Sequence, residues 1–398
     1  MATALPVHPF PARMAPDLAF EHLPLSLDRA CTVLDPMMGS GTIPIMASLR
    51  GYRAIGFDID PLAVLIARTA GRPLDPRRIL QATERVVEVA GLRQREPFSH
   101  RDAETQEYID RWFDRAAQSQ LGALASSIEE SPSDLAEALW CSFSRLIITK
   151  EAGASRARDV SHSRPHIVRD GASFNPIERF QGAAQAVMKR HRQIGSRRPA
   201  DGRLRLRHGD ARRLPLADGT VNVVITSPPY LQAIDYMRGH RLSLVWMGHT
   251  IAELRQIRGE AIGSERGGEL EGRYSSMYDA AIAGDLPRAS QRLVARYISD
   301  LASVLREIQR ILAPNGTVII VVADAIIRAV RVSLAILVQE LASAAGLDCV
   351  SHTEREIPAA SRYLPPPVQG GSNSLDGRMK REHCLIFSGR RPNPLAVR

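Results

Sequence analysis

The sequence predicts an α/β protein built on an open, mostly parallel sheet, and three strand-like runs carry this prediction. Residues 33–34 lead into an acidic residue, a Gly-x-Gly turn and a helical run, and residues 53–57 form a second strand that ends in acids. Val221 to Ile225 is a third run, whose nearly continuous apolar character is typical of a buried parallel strand. Strands that alternate with helices in this way favour a sheet with helices on its faces.

The first strand–helix unit runs from Val33 to Leu49. Its glycines permit a tight turn and close approach of the backbone to a ligand, and the helix N-terminus presents free N–H groups. The second strand ends at Asp58, where a carboxylate can hydrogen-bond the hydroxyl groups of a ribose. Asp60 and Pro61 fit a helix cap with proline at the first position. These features, in this order, predict a site for a ribose-containing ligand.

The third strand runs directly into Thr226-Ser227-Pro228-Pro229-Tyr230. Two consecutive prolines make this loop rigid, because proline fixes φ and offers no N–H group. Ligands of open α/β sheets bind at the carboxyl ends of the strands, where this loop must lie. Taken alone, the two prolines also fit a simple turn with a packing tyrosine. The glycine turn after the first strand favours the functional interpretation.

Together, the segment from Asp35 to Thr42 and the Ser-Pro-Pro-Tyr loop resemble S-adenosylmethionine-dependent methyltransferases that act on exocyclic amino groups of nucleic-acid bases. The Ser-Pro-Pro-Tyr form looks most like the N4-cytosine DNA enzymes. Relatives with Asp or Asn before Pro-Pro-Tyr are more often N6-adenine DNA enzymes or guanine-N2 RNA enzymes. His8 to Pro16 and His208 to Ala211 resemble two further cofactor-binding segments of this family. The resemblance covers roughly residues 5–70 and 202–390.

The resemblance implies a Rossmann-like class I methyltransferase sheet, S-adenosylmethionine as the cofactor and DNA, rather than RNA, as the partner. It implies that the adenine amine of the cofactor donates to Asp210. The expected cofactor-binding residues are Phe10, Asp35, Pro36, Gly39, Ser40, Gly41, Thr42, Asp58 and Asp210. The expected catalytic residues are Ser227, Pro228, Pro229 and Tyr230.

The amino nitrogen of a base is a poor nucleophile, because its lone pair is delocalised into the ring. Ser227 Oγ and the carbonyl oxygen of Pro228 would accept hydrogen bonds from this amine and make it more nucleophilic. Tyr230 would stack on the base, which must first be flipped out of a duplex. The methyl group would then pass directly to nitrogen. C5-cytosine methylation requires a cysteine nucleophile, typically after a proline, and none of the four cysteines follows a proline.

Three segments are expected: residues 1–73 as the cofactor-binding half of the core, 74–200 as a largely helical insertion, and 201–398 as the catalytic half. The insertion is rich in arginine after residue 155, which indicates substrate recognition, with a structural cap or a dimerisation element as the alternative. The expected nucleic-acid contacts are Arg164, Arg197, Arg198, Arg238 and Arg241.

The carboxyl-terminal part is expected to follow the order of a Rossmann-like methyltransferase. A surface loop is predicted for residues 259–286, since this stretch is rich in glycine, serine and charge. The predicted helices are Tyr297 to Leu312 and Ile327 to Ala345, and the predicted strands are Thr317 to Ala323, Asp348 to Glu354 and Cys384 to Ser388.

The composition agrees with an enzyme that binds nucleic acid. The formal net charge is +9, and arginine carries nearly all the positive charge, which suits phosphates and base edges, although a high-GC genome would also enrich arginine. No apolar run could span a bilayer and no signal-peptide core is found near Met1, so we expect a cytoplasmic protein that does not enter a membrane. The scattered cysteines are expected to be buried thiols. No metal site is expected, because Pro165 interrupts the spacing between His162 and His166.

The sequence therefore predicts methylation of an exocyclic amine in DNA, with cytosine N4 as the favoured target. Adenine N6 in DNA, guanine N2 in tRNA and a non-catalytic nucleic-acid-binding module remain alternatives. A cognate restriction enzyme is left open by the sequence.

Overall fold

The computed structural model describes residues 7–9, 30–95, 98–149, 153–158, 165–171, 174–193, 202–229, 231, 236–264, 268–356 and 381–389. The strands of the main sheet are β1 Thr32–Asp35, β2 Arg53–Asp58, β3 Leu204–His208, β4 Val221–Thr226, β5 Leu312–Val322, β8 Leu347–Glu356 and β9 Arg381–Gly389. A separate hairpin consists of β6 Ala325–Ile327 and β7 Val330–Val332.

The helices lie between these strands. Those of the core are α1 Thr42–Leu49, α2 Pro61–Gly71, α8 Tyr236–Leu244, α9 Ile251–Glu260, α10 Ser275–Ala281, α11 Arg288–Ile311 and α12 Leu334–Ala344. Those of the insertion between β2 and β3 are α3 Pro76–Arg93, α4 Ala103–Trp112, α5 Arg115–Glu129, α6 Ser133–Ile147 and α7 Pro176–Gln193. Among the described residues, no helix has the length and apolar character that crossing a membrane requires.

The seven strands of the main sheet have the order β3-β2-β1-β4-β5-β9-β8. The five strands from β3 to β5 are parallel, and β9 runs antiparallel to both β5 and β8. The chain leaves β1 towards β3 on one side and returns to β4 on the other, which creates a topological switch point beside β1. The predicted Rossmann-like methyltransferase sheet with a largely helical insertion is confirmed.

The core strands are buried on both faces. Leu34 and Val224 pack with Ile298 of α11 on one face, whereas Val33 and Ile43 of α1 belong to the cluster on the other face. This burial on two sides explains why β1 and β4 are almost entirely apolar in sequence.

The helical insertion is tied to the core where it begins and where it ends. Glu137 of α6 pairs with Arg72 at 2.6 Å and with Arg68 at 3.4 Å. Nε2 of His191, near the end of α7, lies 2.9 Å from the carbonyl oxygen of Arg72. A Cβ added to Gly71 would lie only 2.7 Å from Leu204, the first residue of β3. The chain therefore leaves the core and returns to it at neighbouring points.

The predicted helix from Ile327 to Ala345 is wrong in its first seven residues. The hairpin of β6 and β7 occupies that stretch, and its turn places Arg328 and Ala329 at φ 50° and 65°. Asp324 then accepts a hydrogen bond from the backbone N–H of Leu334 at 3.0 Å, and the helix begins there. Apolar β-branched residues suit a hairpin as well as a buried helix, so the pattern did not separate the two.

Three other expectations need correction. The predicted loop 259–286 contains α10, which follows the buried Tyr274, and α11 begins at Arg288 rather than at Tyr297. Cys141 and Cys384 are buried as expected, but Cys349 is exposed and Cys31 is only partly buried. Cys349 lies on the outermost strand β8, which is exposed along most of its length.

Candidate active site

The carboxyl ends of β1, β2 and β4 bring the two sequence motifs to one edge of the sheet. Asp35 is the last residue of β1, Asp58 the last of β2, and Ser227 follows β4 directly. Parallel pairing of β1 with both β2 and β4 aligns these ends. The predicted cofactor turn and the predicted catalytic loop are therefore neighbours, although nearly two hundred residues separate them in the chain.

The turn after β1 needs glycine at residue 41. Gly41 has φ 78°, and a Cβ at this position would lie 2.7 Å from the Cβ of Ala67 in α2. Its N–H donates to the carbonyl of Met38 at 2.8 Å, while the N–H of Met38 donates to the carbonyl of Phe57 at 2.9 Å. The turn is therefore packed closely against both β2 and α2.

Helix α1 begins at this turn with an open N-terminus. Gly41 is the cap residue and provides no side-chain hydrogen bond to the first turn. Pro36 and Ser40 are buried beneath the turn, whereas Gly39 and Thr42 are partly exposed. Free N–H groups at a helix N-terminus attract an anionic group such as a carboxylate.

Asp58 organises the turn through its carboxylate. Oδ2 accepts a hydrogen bond from the N–H of Gly39 at 2.8 Å, and Oδ1 accepts one from the N–H of Asp60 at 2.9 Å. Burial raises the pKa of Asp58 to about 6, and the negative charge of Asp60 adds to this effect. Asp58 thus supports the glycine turn in addition to the ribose contact predicted for it.

Asp35 joins the two motifs directly. Its Oδ1 accepts hydrogen bonds from Thr226 Oγ1 at 2.8 Å and from the N–H of Met37 at 3.1 Å. The side chain is almost completely buried, and this burial raises the pKa of Asp35 to about 7 against the opposing effect of the Thr226 hydrogen bond. Asp35 therefore holds the end of β1 against the residue that precedes the Ser-Pro-Pro loop.

The catalytic loop is described as far as Pro229. Ser227 and Pro229 are partly exposed, and Pro228 is buried. Tyr230 lies outside the described residues, as does Phe10, which was predicted to contact the cofactor. The roles predicted for these residues stay predictions.

Asp210 lies just past β3 but is held by an arginine that the sequence analysis did not single out. Arg212 donates to Oδ2 of Asp210 at 2.6 Å and to Oδ1 of Asp300 at 2.7 Å. Arg212 also donates to the carbonyl of Glu260 at 2.7 Å. Contact between Asp210 and a cofactor adenine would have to coexist with this ion pair.

The predicted nucleic-acid contacts fall into two groups. Arg238 and Arg241 are partly exposed on α8, and the guanidinium of Arg241 lies 5.7 Å from the ring centroid of Tyr108 in the insertion. Cation–π contact of this kind orients Arg241 towards α4. The others lie outside the described residues: Arg164, Arg197 and Arg198.

Two insertion arginines of the same basic run serve the protein itself. Arg169 donates to the carbonyl of Gly153 at 2.7 Å, and Arg156 donates to the carbonyl of Asp110 at 3.3 Å. These bonds fasten the irregular part of the insertion to itself and to α4. Charge in the sequence did not distinguish such internal contacts from a surface for phosphates.

The buried partners of His240 and His8 were not predicted from the sequence. His240 of α8 hydrogen-bonds through Nδ1 to Oδ2 of Asp60, which also caps α2 by accepting from Leu62 at 2.9 Å. Nε2 of His8 lies 3.0 Å from the hydroxyl oxygen of Ser144. Burial lowers the pKa of His8 well below its usual value, and the positive charge of the nearby Arg145 lowers it further. The pair of Asp60 and Pro61 indicated the cap, but no local signal indicated the histidine partner.

In the described part of the chain, no group of three or more histidine, cysteine, aspartate or glutamate residues is arranged to hold a metal ion.

Comparison with known proteins finds similarity to methyltransferases. No family model matches the chain. The type II methyltransferase M.MvaI of Kocuria varians is 21% identical over 363 residues, which cover 84% of this chain and 80% of the relative. An S-adenosylmethionine-dependent methyltransferase structure from Methanosarcina mazei is 8% identical, with a TM-score of 0.34 and coverage of 92% of this chain and 95% of that chain. The structure of a TehB-like S-adenosylmethionine-dependent methyltransferase from Corynebacterium glutamicum is 10% identical, with a TM-score of 0.29 and coverage of 92% of this chain and 83% of that chain.

Proposed function

We propose that the protein is an S-adenosylmethionine-dependent methyltransferase that acts on an exocyclic base amine of DNA, with cytosine N4 as its target. The observation that carries the proposal is the hydrogen bond between Thr226 and Asp35. It joins the end of the glycine-turn strand to the residue before Ser-Pro-Pro. A cofactor in the turn and a base at the loop would then lie at one edge of the sheet.

The residues at the turn fit S-adenosylmethionine. The open N-terminus of α1 suits its carboxylate, and the partly exposed Asp58 suits its ribose hydroxyls. When bound, this cofactor supplies an activated methyl group on a positively charged sulfur. Gly39 and Gly41 have positive φ and carry no side chain, so the ligand can approach the backbone of the turn closely.

The chain's own residues prepare the acceptor amine. Ser227 Oγ and the carbonyl oxygen of Pro228 would accept hydrogen bonds from the amino protons, which returns electron density to the nitrogen. Pro228 is buried and Thr226 is bonded to Asp35, so these acceptors are held in place before the base arrives. Tyr230 would stack on the flipped base. No covalent intermediate with the protein is required.

DNA is favoured over RNA because the Kocuria varians relative is a type II methyltransferase. The Ser-Pro-Pro-Tyr form supports cytosine N4, although a serine hydroxyl can accept from the amine of adenine as well. The arginine-rich insertion would recognise the substrate, and a cytoplasmic location would follow from a DNA substrate.

The proposal is tested by incubating the purified chain with labelled S-adenosylmethionine and either PCR-amplified DNA or transcribed RNA, followed by nucleoside mass spectrometry. Label in N4-methylcytosine of DNA is expected. N6-methyladenine would overturn the base assignment alone, and label only in RNA would overturn the DNA assignment. Cofactor binding without any methylation would point to a non-catalytic module.

A matched pair of variants sharpens this experiment at Tyr230. Tyr230→Ala should reduce turnover strongly with cofactor affinity unchanged, since stacking on a base is worth about 1–3 kcal/mol. Tyr230→Phe keeps the ring and should retain most of the activity. Equal activity of both variants would remove Tyr230 from the base-binding role.

A further inference from the structure

Helix α8 follows the Ser-Pro-Pro loop and is anchored at His240. Nδ1 of His240 hydrogen-bonds to Oδ2 of Asp60, and the two residues are only 2% and 6% exposed. Asp60 lies two residues beyond the end of β2. One buried contact therefore joins the helix after the catalytic loop to the strand that carries Asp58.

Asp60 is in turn connected to the glycine turn. Its N–H donates to Oδ1 of Asp58 at 2.9 Å, and Oδ2 of Asp58 accepts from the N–H of Gly39 at 2.8 Å. His240 thus stands at the end of a continuous hydrogen-bonded path to the residues that would hold the cofactor. A shift of Asp58 on ligand binding would reach α8 through Asp60.

Helix α8 also contacts the insertion. Within the helix, the ring of Tyr236 faces that of His240 one turn later, at a centroid distance of 6.3 Å and an interplanar angle of 26°. Arg241 contacts the Tyr108 ring of the insertion. Helix α8 therefore receives contacts from Asp60 on the cofactor side and from Tyr108 of the insertion.

Stability alone gives little reason for a histidine at this position. Burial of a carboxylate with an imidazole carries a large desolvation cost, and well-packed apolar residues often replace such a pair without loss of stability. The neighbouring positions Met237, Leu242 and Leu244 of the same helix are apolar and buried. A leucine at residue 240 would continue that surface. The polar pair instead fixes a single orientation of α8 against Asp60.

We propose that His240 is a positioning residue that couples occupancy of the cofactor site to the placement of the catalytic loop. This inference rests on the proposed function, because it assumes that cofactor and DNA bind at this edge. The contact of His240 with Asp60 transmits the coupling. Cofactor should therefore tighten DNA binding, and DNA should tighten cofactor binding by the same factor.

The coupling is measured by titrating S-adenosylhomocysteine into the full-length protein in the absence and presence of saturating PCR-amplified DNA. Wild-type affinity should rise about 5- to 150-fold with DNA, the usual range of coupling between sites. His240→Leu should bring the ratio of the affinities measured with and without DNA close to one and should lower kcat. His240→Asn, whose amide can still donate to Asp60, should keep most of the ratio.

Two further variants separate positioning from stability. Asp60→Ser retains a good helix cap but is too short to reach His240, so it should lose the coupling even if His240→Leu fails to fold. His191→Leu removes another buried histidine, whose Nε2 lies 2.9 Å from the Arg72 carbonyl oxygen. It should lower the unfolding midpoint with the coupling ratio unchanged.

The outcomes distinguish this inference from the proposed function. Absence of cofactor binding and methylation in the wild type would remove the proposed function and the coupling with it. A wild-type protein that methylates DNA but shows a ratio of one would overturn the coupling alone. Coupling and kcat that persist in both His240→Leu and Asp60→Ser would overturn it as well.

Discussion

The two sides of the candidate active site are held together by contacts of very different range. On the cofactor side, Asp58 bonds to Gly39 and Asp60, which are 19 and 2 residues away in the chain. On the catalytic side, Thr226 reaches Asp35 across 191 residues and His240 reaches Asp60 across 180. A ligand site made of near neighbours is visible in a short motif, whereas the positioning of a reacting base depends on the assembled sheet.

The largest expected effect tests the local side at Gly41. Gly41→Ala should destabilise the protein by about 2–5 kcal/mol, because a left-handed alanine costs about 1–2 kcal/mol and crowding in a packed site about 1–3. Urea unfolding measures the loss, and calorimetry should show weaker cofactor binding. Gly219→Ala is the matched control, since Gly219 has φ 65° with no atom within 4 Å of an added Cβ. Equal losses in the two variants would contradict the close packing of Gly41 on Ala67.

The next effect concerns Asp35, which belongs to both sides. Its pKa is raised to about 7, so its ionised form is disfavoured in the folded state. The folded protein holds the proton of Asp35 more tightly than the unfolded chain does. The resulting stabilisation is fully present below about pH 4 and is lost as the pH rises through 7. Asp35→Asn keeps an acceptor for Thr226 and removes the charge. The free energy of unfolding of Asp35→Asn, relative to that of the wild type, should therefore increase between pH 4 and 8, by about 2–4 kcal/mol at most. A constant difference across this range would show that Asp35 is ionised without penalty.

Asp58 tests whether the local side serves the cofactor as well as the turn. Asp58→Ala should weaken S-adenosylmethionine binding by about 1–3 kcal/mol, the range for leaving hydrogen-bonded partners unsatisfied. The N–H groups of Gly39 and Asp60 also lose their acceptor, so the unfolding midpoint should fall. Calorimetry and thermal unfolding separate these effects. Unchanged cofactor affinity with lower stability would assign Asp58 to the turn alone.

The smallest effect per residue is expected in the insertion. Replacing Arg164, Arg197 and Arg198 with glutamine should flatten the dependence of DNA affinity on salt, and each lost phosphate contact should reduce the logarithmic slope by about one. Arg169→Gln is the control, because Arg169 donates to the Gly153 carbonyl. It should reduce stability without changing the slope. A slope unaltered by the triple replacement would favour a structural role for the segment.

The fold, the glycine turn and the helix cap at Asp60 could be predicted from the sequence because their signals are local. The pairing of Gly-x-Gly with a following helix and the cap at Asp60 depend on backbone geometry within a few residues. The apolar runs of β1 and β4 reflect burial on both faces of a parallel sheet. These constraints act before any distant contact forms.

Contacts between distant elements could not be predicted in the same way. Nothing near His240 indicated that it would meet Asp60, and nothing in the strand order of the chain indicated that Thr226 would donate to Asp35. Arg212 shows that nearness in sequence is not sufficient either. It follows Asp210 by two residues, but its guanidinium is also held by Asp300 of α11 and by the carbonyl of Glu260, which lie 88 and 48 residues away in the chain. Side-chain direction depends on the neighbours that the fold supplies.

The insertion begins and ends at neighbouring points of the core, and this has an evolutionary consequence. His191 bonds to Arg72, and Leu204 lies beside Gly71, so the segment of more than a hundred residues leaves the core and rejoins it at neighbouring points. Recombination with breakpoints near residues 73 and 202 would exchange this whole segment and retain every strand of the sheet. The new segment would also have to pack against Trp246 and the N-terminus of α9, as Phe113 and Thr105 do here. If the insertion recognises the substrate as proposed, such an exchange would change the target preference and leave the cofactor turn unaltered.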